Sequence, residues 1–162
     1  MIEDPRIVLT EVLPTAVIHV TVAREKIQQV MGPGRQELMD SLKAQGIAPA
    51  GPWFTHHLRM DPNLFDFEIG VPVASPVKPA GRVGPGQLRT ARVARTVYWG
   101  PYEGLPEAWK QFEAWIGKRG HTSAADLWEV YVAGPESGPD PARWQTELNR
   151  PLTDQESANT PR

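Results

Sequence analysis

Apolar positions along the chain follow first one period and then another. Thr15 to Val22 (TAVIHVTV) is dense in β-branched side chains behind Pro14 and predicts a strand, because branched residues pack well on a pleated surface. From Arg35 to Gln45, Leu38, Met39 and Leu42 return at three- and four-residue spacing before Gly46, which predicts an amphipathic helix with a glycine stop. After the breakers of Pro49 to Pro52, WFTHHLRM (Trp53 to Met60) and LFDFEIGVPV (Leu64 to Val73) predict two strands joined through Asp61, Pro62 and Asn63. Ser75 to Gln87 is crowded with Pro and Gly, has no apolar period and reads as a surface linker. The order then returns. Leu88 to Trp99 is strand-like, and Leu105 to Arg119 places Ala108, Trp109, Phe112, Trp115 and Ile116 at helical spacing before Gly120. DLWEVYVAG and RWQTELNRPL supply two more strands, parted by the loop Pro135 to Pro141.

Each half therefore reads as strand, helix, strand, strand, and the halves match in detail. An offset of 74 carries Leu38 onto Phe112, Leu42 onto Ile116 and Gly46 onto Gly120; 75 carries Trp53 onto Trp128; 79 carries Glu68 onto Glu147 and Pro72 onto Pro151. An offset that grows only in loops is the mark of internal duplication. The expected fold class is α+β, a tandem βαββ repeat with pseudo-two-fold symmetry and antiparallel sheets carrying helices on one side. It forms a single domain over residues 1–153, with pseudo-repeats at about 7–74 and 88–153, a linker at 75–87 and a polar, flexible tail at 154–162.

Composition narrows the function. A chain of 162 residues can bury a core large enough to enclose a pocket. The formal charge is −2, from 17 basic and 19 acidic residues interspersed along the chain, so no basic footprint for nucleic acid is present. With no cysteine there is no disulfide, thiolate metal site or cysteine nucleophile. The start lacks the basic and apolar character of a signal peptide, and no apolar run is long enough to cross a bilayer. A cytoplasmic protein with no membrane partner is expected. Six Trp, three Tyr and four Phe stand out; a single Trp is ordinarily a core residue, but Trp is also common where flat ligands stack.

Strand alternation assigns faces. In WEVYV, Trp128, Val130 and Val132 share one face, expected beneath the helices, leaving Glu129 and Tyr131 opposite; Ile69, Val71 and Leu148 likewise leave Glu68 and Glu147 opposite. In the first repeat, Phe54 and His56 then occupy the places of Glu129 and Tyr131. For Glu68 an ordinary solvated sheet face stands beside a functional reading. Glu129, set among Trp128, Val130 and Tyr131, points to function, because a carboxylate among aromatics is costly unless paired, hydrogen-bonded or protonated.

The series YWGPYEGLPEAW (Tyr98 to Trp109), W-E-V-Y-V (Trp128 to Val132) and DP-x-x-W-x-TEL-x-x-PL (Asp140 to Leu152) resembles the GyrI-like domains, also called AraC effector-binding domains, over roughly residues 5 to 153. The resemblance implies a central cleft between the repeats that takes flat, hydrophobic, often cationic molecules for sequestration or sensing. Glu129 and Glu147 would be its acidic residues and Tyr131 its polar aromatic; Trp99, Tyr102, Trp53 and His56 are further ligand-binding candidates by placement, with Phe54 and Glu68 beside them. Relatives fused to a helix-turn-helix regulate transcription, and this chain, whose first strand begins within about fifteen residues of Met1, is read as a stand-alone form. One branch of the family is hydrolytic and opens the cyclopropane of DNA-alkylating cyclopropanoids; on that reading Glu129 or Glu147 is the general base and Tyr131 donates to the dienone oxygen. A third reading is a protein-interaction module such as a gyrase modulator, since aromatic enrichment also marks interfaces.

No metal and no cofactor are expected. His56 and His57 are adjacent on a strand and point to opposite faces, and His19 and His121 lie elsewhere. GPGRQ (Gly32 to Gln36) and GRVGPG (Gly81 to Gly86) lack phosphate-loop spacing and read as turns, and Ser75-Pro-Val-Lys78 fits a catalytic SxxK by its letters alone.

Overall fold

A computed structural model describes residues 1–153, without the Met60 side chain; the tail expected at 154–162 lies outside the described residues. The fold is α+β, and its contacts divide into two compact units. Glu11–Arg89 makes one of them, and Met1–Thr10 with the described residues from Thr90 onward makes the other.

The first unit consists of β2 (Leu13–Ala23), α1 (Ile27–Ala44), β3 (Phe54–Met60), β4 (Leu64–Pro72) and β5 (Val83–Leu88), with strands in the antiparallel order β3-β4-β2-β5. One sheet face, bearing Ala16, Ile18, Val20, Phe67, Ile69 and Val71, packs on Leu38 and Leu42 of α1. The β3–β4 turn forms as the Asp-Pro-Asn signal predicts: the Asp61 carboxylate accepts the backbone N–H groups of Asn63 at 2.8 Å and Leu64 at 3.3 Å.

The second unit consists of β1 (Arg6–Leu9), β6 (Arg92–Trp99), α2 (Leu105–Lys118), β7 (Leu127–Ala133) and β8 (Gln145–Pro151), in the order β1-β6-β8-β7. Its core joins Ala94, Tyr98 and Leu148 of the sheet to Ala108, Phe112 and Ile116 of α2. The duplication extends to single hydrogen bonds. Ile47 N–H donates to Leu42 O and His121 N–H to Ile116 O, closing the two helices alike; Ala50 N–H donates to Pro72 O and Ala124 N–H to Pro151 O.

Four expectations change. The stretch 75–87 is not all linker, because Val83 to Leu88 pairs with β2 as an outer strand. Pro85 is tolerated there because an outer strand does not need every N–H in the ladder. Arg6–Leu9, with no alternating pattern, forms β1 and fills in the second unit the place that β5 fills in the first. GPGRQ is not a turn: α1 begins at Ile27 and runs through Pro33 and Gly34, and a Cβ on Gly34 would stand 2.6 Å from Ile69 Cδ1, so glycine lets the helix approach the sheet.

The fourth change concerns faces. Register pairs Glu129 with Leu148 and Tyr131 with Thr146, so Glu129 and Tyr131 lie on the α2 side, and Trp128 and Val130 lie on the other; Val132 is the extra residue of a β-bulge and has no place in the alternation. The offset across β3 and β7 is 74, not 75. Phe54 opposite Gly70 corresponds to Trp128 opposite Asn149, and the β-bulges at His57/Arg59 and Tyr131/Ala133 coincide under it. The counterparts of Glu129 and Tyr131 are therefore Thr55 and His57, not Phe54 and His56. A slip of one residue in a strand exchanges its faces.

Phe54 lies flat on Gly70, where a Cβ would overlap its ring. Gly70→Ala should therefore destabilise the protein by about 1–3 kcal/mol, the usual effect of overpacking, read as a lowered denaturation midpoint.

Candidate functional site

Glu129 enters from β7 at a point where the chain leaves it partly accessible, and its carboxylate is held from two elements. Trp109 Nε1–H, from the second turn of α2, donates to Oε2 at 2.6 Å, and the Tyr131 hydroxyl, two residues along the strand, donates to Oε1 at 2.6 Å. Burial pushes the Glu129 carboxyl above its ordinary value, and the hydrogen bonds from Tyr131 and Trp109 oppose the rise. No charged side chain among the described residues acts on it. Among the described residues the carboxylate thus has two neutral donors and no counter-ion.

Aromatic rings gather around this point. Tyr102, in a 3₁₀ turn over Tyr102–Gly104 before α2, meets Tyr131 edge to face at 5.9 Å and Trp144 at 5.3 Å. Trp109 leans on Phe112 at 5.6 Å, which fixes the indole as a donor. Gly134, at the end of β7, lies directly beneath the Tyr102 hydroxyl, so any side chain there would displace that ring. Trp144 Nε1–H donates to Gly138 O at 3.2 Å, anchoring the ring to the loop after β7.

Of the sequence candidates, Glu129, Tyr131 and Tyr102 come together. Glu147 and Trp99 do not: alternation along β8 and β6 puts both on the sheet face opposite Glu129. Glu147 lies 3.5 Å from Arg95 Nε and accepts from Asn149 Nδ2 at 3.1 Å, and the Trp99 indole donates to Glu3 at 2.8 Å. In the first unit, His56 Nδ1 and Glu68 Oε1 are 3.6 Å apart on the face away from α1, with Phe54 on that same face, and Trp53 packs toward the α1 core with the Arg35 guanidinium 4.7 Å from its ring centre. At the counterpart of Tyr131, His57 stacks on Phe67 at 5.1 Å, and burial lowers its pKa to about 4, so it is neutral at physiological pH. Among the described residues no cluster of His, Asp or Glu could hold a metal ion.

Trp109 and Trp144 belong to the motifs that carry the family resemblance but were not among the site candidates. Trp109 sits in the apolar stripe of α2, where it reads as core, and only its indole N–H carries it to Glu129. Trp109→Phe keeps the packing and removes a hydrogen bond that opposes the rise, so the Glu129 carboxyl should titrate higher than in the native chain, measured by an NMR pH titration of that carboxyl.

Comparison with known proteins agrees with this architecture. A family model, the GyrI-like small molecule binding domain, matches residues 3–152. No curated protein matches the chain. Among solved structures, the C-terminal domain of EcmrR superposes with a TM-score of 0.80 at 19% identity, covering 93% of this chain and 97% of that one. In the EcmrR–DNA complex the chain spans 57% of the EcmrR chain. SAV2435 bound to tetraphenylphosphonium has a TM-score of 0.66 at 12% identity, covering 97% and 98% of the two chains. A hydrolase from Listeria innocua has a TM-score of 0.63 at 10% identity, covering 92% and 91%. At these identities the structures share the fold. No helix among the described residues is long and apolar enough to cross a membrane.

Proposed function

Because the chain belongs to the GyrI-like family of small-molecule-binding domains, we propose that it takes a flat, hydrophobic, cationic molecule against Glu129. The observation that carries this reading is a carboxylate held by Trp109 and Tyr131, both neutral donors, with no counter-ion among the described residues. A charge withdrawn from water and left unpaired is costly. A ligand cation would relieve that cost, and each favourable contact between a delocalised cation and a Trp or Tyr face adds about 0.5–2 kcal/mol. Tyr102, Tyr131 and Trp144 supply such rings. SAV2435, which shares the fold, was solved with a hydrophobic cation. The biological role that follows is sequestration or sensing of a drug or toxin.

The test is a fluorescence titration of the native chain and Glu129→Gln with tetraphenylphosphonium, planar aromatic cations and neutral cyclopropanoids, each compound being recovered and analysed. Saturable micromolar binding of cations that weakens in the variant, with compounds intact, supports the reading. No binding of any compound sinks it and brings a protein partner forward.

A second reading is favoured by the 2.6 Å contact between Tyr131 and Glu129. That pair joins a carboxylate of raised pKa to a hydroxyl donor, which suits hydrolysis of a strained cyclopropanoid: Glu129 takes the proton of the water that attacks a cyclopropane carbon, the strained C–C bond breaks with its electrons moving to the dienone oxygen, and the Tyr131 O–H, released by the newly protonated carboxyl, turns to donate to that oxygen. Turnover that disappears in Glu129→Gln would favour it over simple binding.

A further inference from the structure

β8 brings a second polar side chain to the face of Glu129. Leu148 lies in the core beneath α2, and Thr146, two residues before it, shares its face. In register, Thr146 stands between Tyr98 of β6 and Tyr131 of β7. The rings on either side lead away from it: the Tyr131 hydroxyl reaches Glu129, and the Tyr98 hydroxyl donates to Pro101 O at 2.8 Å. A small residue between two large ones is a floor, bordered on the side of Tyr131 by Tyr102 and Trp144.

That floor carries an unanswered hydroxyl. Thr146 is 0% exposed, and its Oγ1 has no hydrogen-bond partner among the described residues. Buried polar atoms are nearly always partnered, and valine would fill the same space without the loss. Every other function of the position, strand formation and shape included, is served as well by valine.

We propose that Thr146 is a specificity-determining contact of the Glu129 site, its hydroxyl meeting a hydrogen-bonding atom of the ligand. The inference rests on the binding role proposed above and narrows the ligand class. A threonine hydroxyl both donates and accepts, so the site selects flat aromatic cations that carry an amino, hydroxyl or carbonyl group on their inner edge over cations whose surface is hydrocarbon throughout. The ligand reaches the floor by turning aside Tyr102, which is partly exposed and held in a single 3₁₀ turn.

Proflavine, a planar cation with two primary amines, and tetraphenylphosphonium, which has no hydrogen-bonding atom, separate the possibilities when titrated against the native chain, Thr146→Val and Thr146→Ser. Thr146→Val should weaken proflavine about 10-fold, the effect of leaving a buried polar group unpaired, and change tetraphenylphosphonium by less than twofold; Thr146→Ser should restore proflavine. Without ligand, Thr146→Val should melt at the same temperature as the native chain or higher. Equal weakening of both probes, no weakening of either, failure of serine to rescue, or a clear fall in the melting temperature overturns the proposal while leaving the binding role intact. Failure of the native chain to bind either probe overturns the binding role itself, and this inference with it.

Discussion

Affinity for tetraphenylphosphonium, whose charge does not change with pH, should rise about tenfold per pH unit through the acidic range and then become flat. Below the pKa of Glu129, each bound cation must expel one proton, which gives that slope by linkage; above it the carboxylate is already free. Burial raises this pKa and the bonds from Tyr131 and Trp109 restrain it, so the plateau begins above the ordinary carboxylate range. Glu129→Gln should abolish the slope and, on the plateau, weaken binding about 10- to 100-fold, as expected for a charged contact in a partly desolvated site. Stability should move the other way. A folded-state pKa raised above the unfolded value gives stability that is full at low pH and is lost as pH rises through the folded value. The unliganded Glu129→Gln protein should therefore be at least as stable as the native one at neutral pH, and the native protein should gain stability on mild acidification until other carboxylates titrate. A binding curve independent of pH in the native chain would remove Glu129 from the site.

Phe112→Ala should cost about 3–5 kcal/mol, the range for deleting a large aromatic side chain from a packed core. Phe112 is fully buried between α2 and the sheet at the centre of its hydrophobic cluster. It also supports Trp109, whose indole lies against it and reaches Glu129. Chemical denaturation should show the loss, and cation affinity should fall even where the variant is still folded. Phe112→Leu should cost much less, since it preserves most of the volume. A loss below 1 kcal/mol in the alanine variant would mean that the cluster does not hold α2 in place.

The duplication was legible because it is written in core residues and helix stops, whose spacing the fold cannot change. Leu38 and Phe112, and Gly46 and Gly120, correspond in the structure as they do in sequence. The faces of β7 were not legible, for an equally physical reason. Trp53 and Trp128 suggested an offset of 75, but Trp53 lies one residue before β3 while Trp128 is inside β7, and a single-residue slip inverts a strand. Glu129 stood out as a carboxylate among aromatics, but its place beneath a helix contradicted the habit of putting charge on the open face. What reconciles them is the Trp109 indole, an apolar residue by composition and a hydrogen-bond donor by geometry. Thr146 entered only as a letter of the TEL motif, and nothing there pointed to its hydroxyl, since a missing partner has no sequence pattern. β5 was hidden by Gly84, Pro85 and Gly86, residues that an outer strand can carry and an inner one cannot.

The outer strand of the second unit comes from the opposite end of the chain, and this sets an order of events during synthesis. Arg6 pairs with Arg95 and Leu9 with Arg92, so β1 is translated more than eighty residues before its partner exists. The first unit is continuous from Glu11 to Arg89 and can close in the meantime. At ordinary rates of synthesis, β1 then waits on the order of ten seconds as a nascent segment with unsatisfied backbone groups. Such a segment invites pairing with other chains. Its brevity, four residues, and the charges of Glu3, Asp4, Arg6 and Glu11 around it are features that work against such pairing until β6 emerges.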